Sequence, residues 1–229
     1  DLARDRVGAE VAWPVTAEAA AAIDERVSSL LSEPLDAERA VAIALLNNRR
    51  LRARYASLGI AQADFIEASL LENPMLSAGV AFPDRPPSKT ELDFGVTLNL
   101  LRVLVTPARR EIASLGVTAA TLSVASDVLD TAAETRRVFL DLQAATHTSA
   151  VLGEIARAAE ASAEFARRLH AAGNLSDLAL ANEEALWEQS RVAHARSLAD
   201  ALEHRERLGV QLGLWGDRHA WTILDRLPE

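Results

Sequence analysis

The chain has 229 residues, of which 49% are hydrophobic and 25% charged, the balance of a folded protein and not of a disordered segment. Aromatics make up only 4%, Gly and Pro number 10 and 8, and Ala recurs in runs such as Ala19 to Ala22, so long, closely packed helices are expected in place of a sandwich or an α/β enzyme. A net charge of -9 leaves no basic footprint for nucleic acid, and Cys 0 excludes disulfides, thiolate zinc sites, a cysteine nucleophile and a lipidated cysteine within these residues.

No uninterrupted apolar run reaches the length of a membrane-spanning helix; Ala40 to Leu46 ends at Asn47, so no such helix is expected. The chain opens at Asp1 without Met or an apolar leader, which reads as a mature or trimmed product.

Residues 1–33 read as a peripheral strap, irregular around Trp13-Pro14 and then a short Ala-rich helix through Ile23, Val27 and Leu30. Pro34-Leu35-Asp36 supplies a helix start, with Asp36 as N-cap and Glu38 in the first turn, and one helix is expected to about Leu71. Asn73-Pro74 stops it, because the residue before proline is driven out of the α region. The period then changes from helical to alternating. Leu76, Ala78, Val80 and Phe82 alternate with Ser77, Gly79 and Ala81; after the loop 84–89, Leu92, Phe94, Val96, Leu98 and Leu100 alternate with Glu91, Asp93, Gly95, Thr97 and Asn99. This predicts one β-hairpin with an apolar and a polar side, within residues 74–104.

Thr106 as N-cap and Pro107 at the first helical position predict a helix from 107 to 172, with no later Pro before Pro228. Such a helix would be roughly 100 Å long. Ile112, Leu115, Ala119, Leu122, Ser126, Leu129, Ala133 and Leu140 follow the spacing of a coiled-coil seam, and Val117, Val124, Val128, Val138 and Leu142 form a second stripe. A helix with two such stripes can contact neighbours on two sides. Gly173-Asn174-Leu175-Ser176-Asp177 predicts a sharp reversal, with Gly173 in the left-handed region and Ser176 capping the next helix. That helix runs to about Leu212, with Leu178, Ala185, Val192, Ala199 and Leu202 recurring near seven, so an antiparallel pair of long helices results. Residues 217–229 read as the start of a connection.

Chemistry is sparse. None of His147, His170, His194, His204 and His219 has Asp or Glu three residues earlier, and no His-Glu-x-x-His run occurs, so no metal or catalytic histidine is expected. Gly209, Gly213 and Gly216 lack the preceding strand and following Lys-Ser/Thr of a phosphate loop. No cofactor is expected. The sequon Asn174-Leu175-Ser176 is better explained as turn chemistry. The hairpin has two readings: a flap packed on the helices, or part of a transmembrane barrel, which needs further strands because a free edge in lipid leaves backbone groups unpaired.

The order of helix, amphipathic hairpin, very long helix, reversal and returning helix resembles the outer membrane efflux protein family, the TolC-like channels of Gram-negative bacteria. The stretches that carry the resemblance are 40–48, 58–64, 71–79, 172–178, 181–185 and 212–216, where Ala172-Gly-Asn-Leu-Ser-Asp-Leu178 and Leu212-Gly-Leu-Trp-Gly216 stand out. It implies a mainly α fold of long antiparallel coiled-coil helices in an α-barrel, with one β-hairpin of an outer-membrane β-barrel. It further implies a homotrimeric passive duct across the outer membrane and periplasm, without enzymatic activity, working with a periplasmic adaptor and an inner-membrane pump. Family protomers carry two repeats; residues 34–216 resemble the first, with the second expected beyond Glu229.

Carried over by position, Leu76, Val80, Phe82, Leu92, Phe94, Val96 and Leu98 would face outer-membrane lipid, and Asp93, Thr97 and Asn99 the lumen. Gly173, Asn174, Leu175, Ser176 and Asp177 would form the tip that meets the adaptor, with an exposed Leu175 as contact point. Arg167, Arg168 and Asp177 would bias the closed against the open tip. An acylated cysteine, common in the family, would lie before Asp1. The competing function is a soluble periplasmic or cytosolic coiled-coil interaction protein without channel activity, with the hairpin as a docking flap.

Overall fold

Helix caps set the element order in a computed structural model that describes residues 17–81, 91–216 and 220–224. The elements are α1 (Ala17–Leu31), α2 (Ala37–Asn47), α3 (Arg49–Ser69), β1 (Met75–Ala81), β2 (Glu91–Thr97), α4 (Leu100–Ala171) and α5 (Asp177–Leu212). They form two units, one of residues 1–52 and 126–229, the other of residues 53–125.

The first unit holds the main hydrophobic core. Asp36 caps α2 by accepting from Arg39 N at 2.7 Å, which presents Ala40, Ile43 and Ala44 to Phe139, Leu142, Leu208 and Leu212. The strap helix α1 is not peripheral, since Ile23 and Val27 join this core. Residues beyond α5 are also sewn in. Trp221 is buried in the core under the Arg205 guanidinium, which lies 4.0 Å from its ring. Leu35 and Ile223 form a parallel bridge, with Leu35 N donating to Thr222 O at 2.8 Å and Leu224 N to Leu35 O at 2.9 Å. Gln143 Nε2 adds a bond to Leu224 O at 2.7 Å.

The single helix expected to Leu71 is two helices. Asn48, at φ -63 and ψ 119, leaves the helical region, and its N–H closes on Ala44 O at 2.8 Å. Its Oδ1 accepts from Leu51 N at 3.1 Å and so caps α3, while its Nδ2 donates to Gln211 O at 2.8 Å. Asn47 donates to Leu212 O and Gly213 O at 3.0 and 2.9 Å. Two adjacent asparagines thus satisfy carbonyls that the end of α5 leaves unpaired. No Pro or Gly marks the break, because its cause is this tertiary partner.

The seam of α4 towards the tip of the helical hairpin is built from Ala156, Ala159, Ala163 and Ala166, all buried at coiled-coil spacing. On α5 the buried positions are Ser190, Ser197, Leu208 and Leu212. Gly153 sits against His194: a Cβ there would lie 3.1 Å from His194 Nε2. Of the two expected stripes on α4, the second is the buried one, through Val124, Val128, Val138 and Leu142. The first points outward, with Ile112, Leu115, Leu122 and Leu140 all exposed. The expected stripe on α5 is likewise outward, since Leu178, Val192 and Leu202 are exposed.

In the second unit, β1 and β2 pair antiparallel from Met75↔Thr97 to Ala81↔Glu91. The strand ends earlier than the alternation suggested. Leu98 and Asn99 follow β2, and α4 begins at Leu100 with Asn99 Oδ1 accepting from Arg102 N at 3.2 Å. Thr106 is therefore not a cap; its hydroxyl donates to Arg102 O at 2.7 Å, inside a helix that also contains Pro107. Asn99 competed successfully for the start because an Asn side chain reaches a first-turn N–H, as any N-cap does. Arg102 also pairs with Glu72, joining the two ends of the β-hairpin.

Within α4 one window is long and apolar enough to cross a membrane, although only 11% of it is buried. Counting uninterrupted apolar residues passed it over. Polar residues punctuate the helix, but Ser114, Thr118 and Thr121 donate their hydroxyls to Glu111 O, Ser114 O and Val117 O, turning their polarity back onto the backbone.

Candidate functional site

Two features lack an explanation in packing alone: the β-hairpin and the reversal between α4 and α5.

The hairpin's register sorts its side chains. Leu76↔Val96, Ala78↔Phe94 and Val80↔Leu92 are facing pairs, so these six residues share one side, because successive side chains of a strand alternate. That side is open: Phe94 is 77% exposed and Leu76 75%. The other side carries Met75, Ser77, Gly79, Asp93, Gly95 and Thr97. Small residues there are sterically matched across the strands, since a Cβ on Gly95 would come within 2.5 Å of Ser77 Oγ. Of the residues expected to face lipid, Leu76, Val80, Leu92, Phe94 and Val96 share the apolar side, Leu98 lies past the strand, and Phe82 falls outside the described residues. Of those expected to face a lumen, Asp93 and Thr97 share the polar side, whereas Asn99 is the cap of α4.

The reversal is a self-contained turn. Gly173, at φ +76, donates to His170 O at 2.9 Å, and Asn174 N reaches Leu169 O at 2.9 Å, the paired bonds of a Schellman motif. Ser176 then caps α5, its Oγ accepting from Ala179 N at 3.3 Å and its carbonyl from Leu180 N at 3.0 Å. Side chains clasp the two helices below it. His170 Nε2 faces Asp177 Oδ1 at 2.7 Å, Arg167 Nε donates to Glu184 Oε1 at 2.9 Å, and Ser162 Oγ to Glu183 Oε2 at 2.7 Å. The Glu184 hydrogen bond holds the Arg167 guanidinium more firmly charged than usual.

Gly173, Asn174, Ser176 and Asp177 are exposed, as a contact tip requires, but Leu175 is only half-buried rather than exposed. The open apolar side chain at the turn is Leu178, at 73% exposure. Sequence reasoning placed Leu178 in a seam because it fits the heptad. Its position just after the cap Ser176 and Asp177 was the overlooked signal. Also missed was Trp187, whose ring has the guanidinia of Arg167 and Arg191 within 5.0 and 5.1 Å of its centre. An open groove runs alongside, lined by Gly153, Arg157, Trp187, Arg191 and His194. Among the described residues no group of three or more His, Cys, Asp or Glu could hold a metal ion.

No protein-family profile and no curated protein matches the chain. Solved structures do. A membrane protein from Pseudomonas aeruginosa matches with a TM-score of 0.67 at 22% identity, over 89% of this chain and 50% of that one. The outer-membrane channel OprN matches with a TM-score of 0.65 at 16% identity, over 88% and 47%. The CmeC outer membrane channel of Campylobacter jejuni matches with a TM-score of 0.65 at 16% identity, over 96% and 49%. The chain therefore has the fold of outer-membrane channels of this kind, and it spans about half the length of the structures it matches.

Proposed function

We propose that the chain is one repeat of a TolC-like outer-membrane duct, serving a tripartite efflux or secretion system as a passive conduit. The observation that carries this reading is the outward apolar surface. Ile112, Leu115 and Leu122 on α4, and Leu178, Val192 and Leu202 on α5, lie exposed at coiled-coil spacing, and the same chain carries a hairpin with one wholly apolar open side. Leaving so many large side chains in water costs on the order of 1.5–3 kcal/mol each, which neighbouring copies and lipid would remove. In this reading Leu76, Val80, Leu92, Phe94 and Val96 meet lipid, Asp93 and Thr97 line the lumen, and the hairpin sits in the outer membrane.

The reversal is then the tip on which a periplasmic adaptor docks, with Leu178 in the part first assigned to Leu175 and with Asn174, Ser176 and Asp177 as polar contacts. Closure of a ring by three protomers, each with two repeats, fits the half-length match to the solved channels. Arg167 and Asp177, each engaged across the two helices, are the groups expected to stiffen the tip; Arg168 instead pairs with Glu164 on its own helix, at 3.1 Å.

The chain's lack of cysteine permits a direct test. Leu115→Cys and Leu122→Cys, each introduced singly into the protein expressed in a Gram-negative host, are treated with a bulky maleimide on the isolated outer membrane and again after denaturation. Labelling in the outer-membrane fraction is expected only after denaturation, because neighbouring copies cover both positions. A monomer in the soluble fraction would return the chain to the soluble coiled-coil reading.

A further inference from the structure

Resting on the reading of the hairpin as lipid-facing wall, we infer that Arg109 and Arg110 bind the phosphates of membrane phospholipids, beside the apolar first turns of α4. Two independent features meet there. The first is the breadth of the apolar surface. Leu100, Leu101, Val103, Leu104 and Val105 are all exposed, Leu104 at 77%. At about 100° per residue they cover about 200° of the helix circumference, twice the stripe of about 100° that usually faces a core. One neighbouring helix cannot cover such an arc, whereas acyl chains can. The arc also continues the apolar side of the hairpin, because Leu92, Phe94 and Val96 of β2 lead through the exposed Leu98 into Leu100.

The second feature is a pair of uncompensated charges. On α4, Arg102, Arg136, Arg137, Arg157, Arg167 and Arg168 each pair with a carboxylate. Arg109 and Arg110 are the arginines of this helix that do not, among the described residues; even Glu111, next in the chain, pairs with neither. The Arg110 guanidinium lies 5.7 Å from the centre of the Phe65 ring, a contact that uses none of its N–H donors in a hydrogen bond.

Spacing joins the two features. Arg109 and Arg110 fall just outside the two edges of the apolar arc and about 7–9 Å along the axis beyond Leu104. The headgroup layer is about 5–7 Å deep on each side of the hydrocarbon, and an arginine stem can lie along apolar surface while its head stays in the polar layer. A planar guanidinium takes two phosphate oxygens at once, so the arginines call for phosphate and the arc beside them for acyl chains. Free phosphate satisfies only half of such a site.

The test uses the protein purified from the outer membrane in a neutral detergent and titrated with dioctanoyl phosphatidylglycerol. Inorganic phosphate and dioctanoylglycerol, which lacks the phosphate, are titrated in parallel. The phospholipid is expected to bind more tightly than either. Arg109→Gln/Arg110→Gln should weaken it about tenfold or more, the effect of losing two basic side chains at a charged lipid surface. Arg157→Gln, which removes an arginine already paired with Glu154, should leave it unchanged. Undiminished binding by the double variant, or binding of either comparison compound as tightly as the phospholipid, would overturn the assignment and leave the duct reading standing. Recovery of the parent protein from the soluble fraction without detergent would overturn both.

Discussion

Asn47 and Gly213 are fitted to one another. The Asn47 carboxamide donates to the Gly213 carbonyl at 2.9 Å, while the Cβ that any other residue would place on Gly213 would lie 2.4 Å from Asn47 O. Gly213 also stands at φ +69, where only glycine sits without strain. The contact locks the end of α5 onto the end of α2.

Gly213→Ala is expected to destabilise the protein by about 1–3 kcal/mol, through the left-handed backbone and the collision together. Asn47→Ala should cost a similar amount, about 1–3 kcal/mol, by removing the donor that the Leu212 and Gly213 carbonyls share. Chemical denaturation of each variant checks both. Unchanged midpoints would show that the two helix ends are not coupled.

Much of the fold is legible in the amino-acid order, and the misses have identifiable causes. Gly173 and Ser176 announced the reversal because left-handed backbone and N-capping have specific residue preferences, and the alternation from Leu76 to Val96 announced the strands. Asn48 gave no warning, since a helix break made by partners at Gln211 and Leu51 leaves no trace in local propensity. Asn99 was read as part of the strand because the alternation ran through it, and Pro107 offered a start that the helix did not need. The two stripes of α4 were both visible, yet which one faces inward depends on where its partners lie, and spacing alone carries no such direction. For the tip, the heptad hid Leu178.

The reversal offers a local test. Ser176→Ala should remove about 1 kcal/mol of capping, and Gly173→Ala about 1–2 kcal/mol by forcing a side chain into left-handed backbone. Hydrogen exchange is expected to quicken at Leu169 to Leu180 in both, with the core around Phe139 and Leu208 unaffected, because ends of elements open locally. Uniformly faster exchange would mean that the tip and core unfold as one.

Tyr55 is the chain's single tyrosine and is buried, which pushes its phenol up to about 12. The folded state thus keeps a proton that the unfolded state, with an ordinary value of about 10, gives up first. Stability should hold below pH 10 and decline as the pH rises towards 12. Near-ultraviolet tyrosinate absorbance reports this one group, and Tyr55→Phe should remove its share of the alkaline loss. Titration near 10 in the folded protein would contradict the burial.

Gly153 probes the seam with two substitutions of opposite design. Gly153→Ala gains about 1 kcal/mol of helix propensity but must move the His194 ring, 3.1 Å from the new Cβ, so little net change is expected. Gly153→Leu overfills the same place and should destabilise by about 1–3 kcal/mol. If both were neutral by thermal melting, α4 and α5 would not be in close register there.

The hydrogen bonding of the reversal bears on how anything could bind it. Gly173, Asn174, Ser176 and Leu180 direct their backbone groups inward, so the turn is complete before a partner arrives. A docking molecule would have no loop to order and would lose little conformational entropy on that account, the usual cost that a flexible epitope exacts. Affinity at such a tip is then governed by the few side chains that stand clear of it, and one substitution at Leu178 would weigh more on the residence time of the complex than on the rate of encounter.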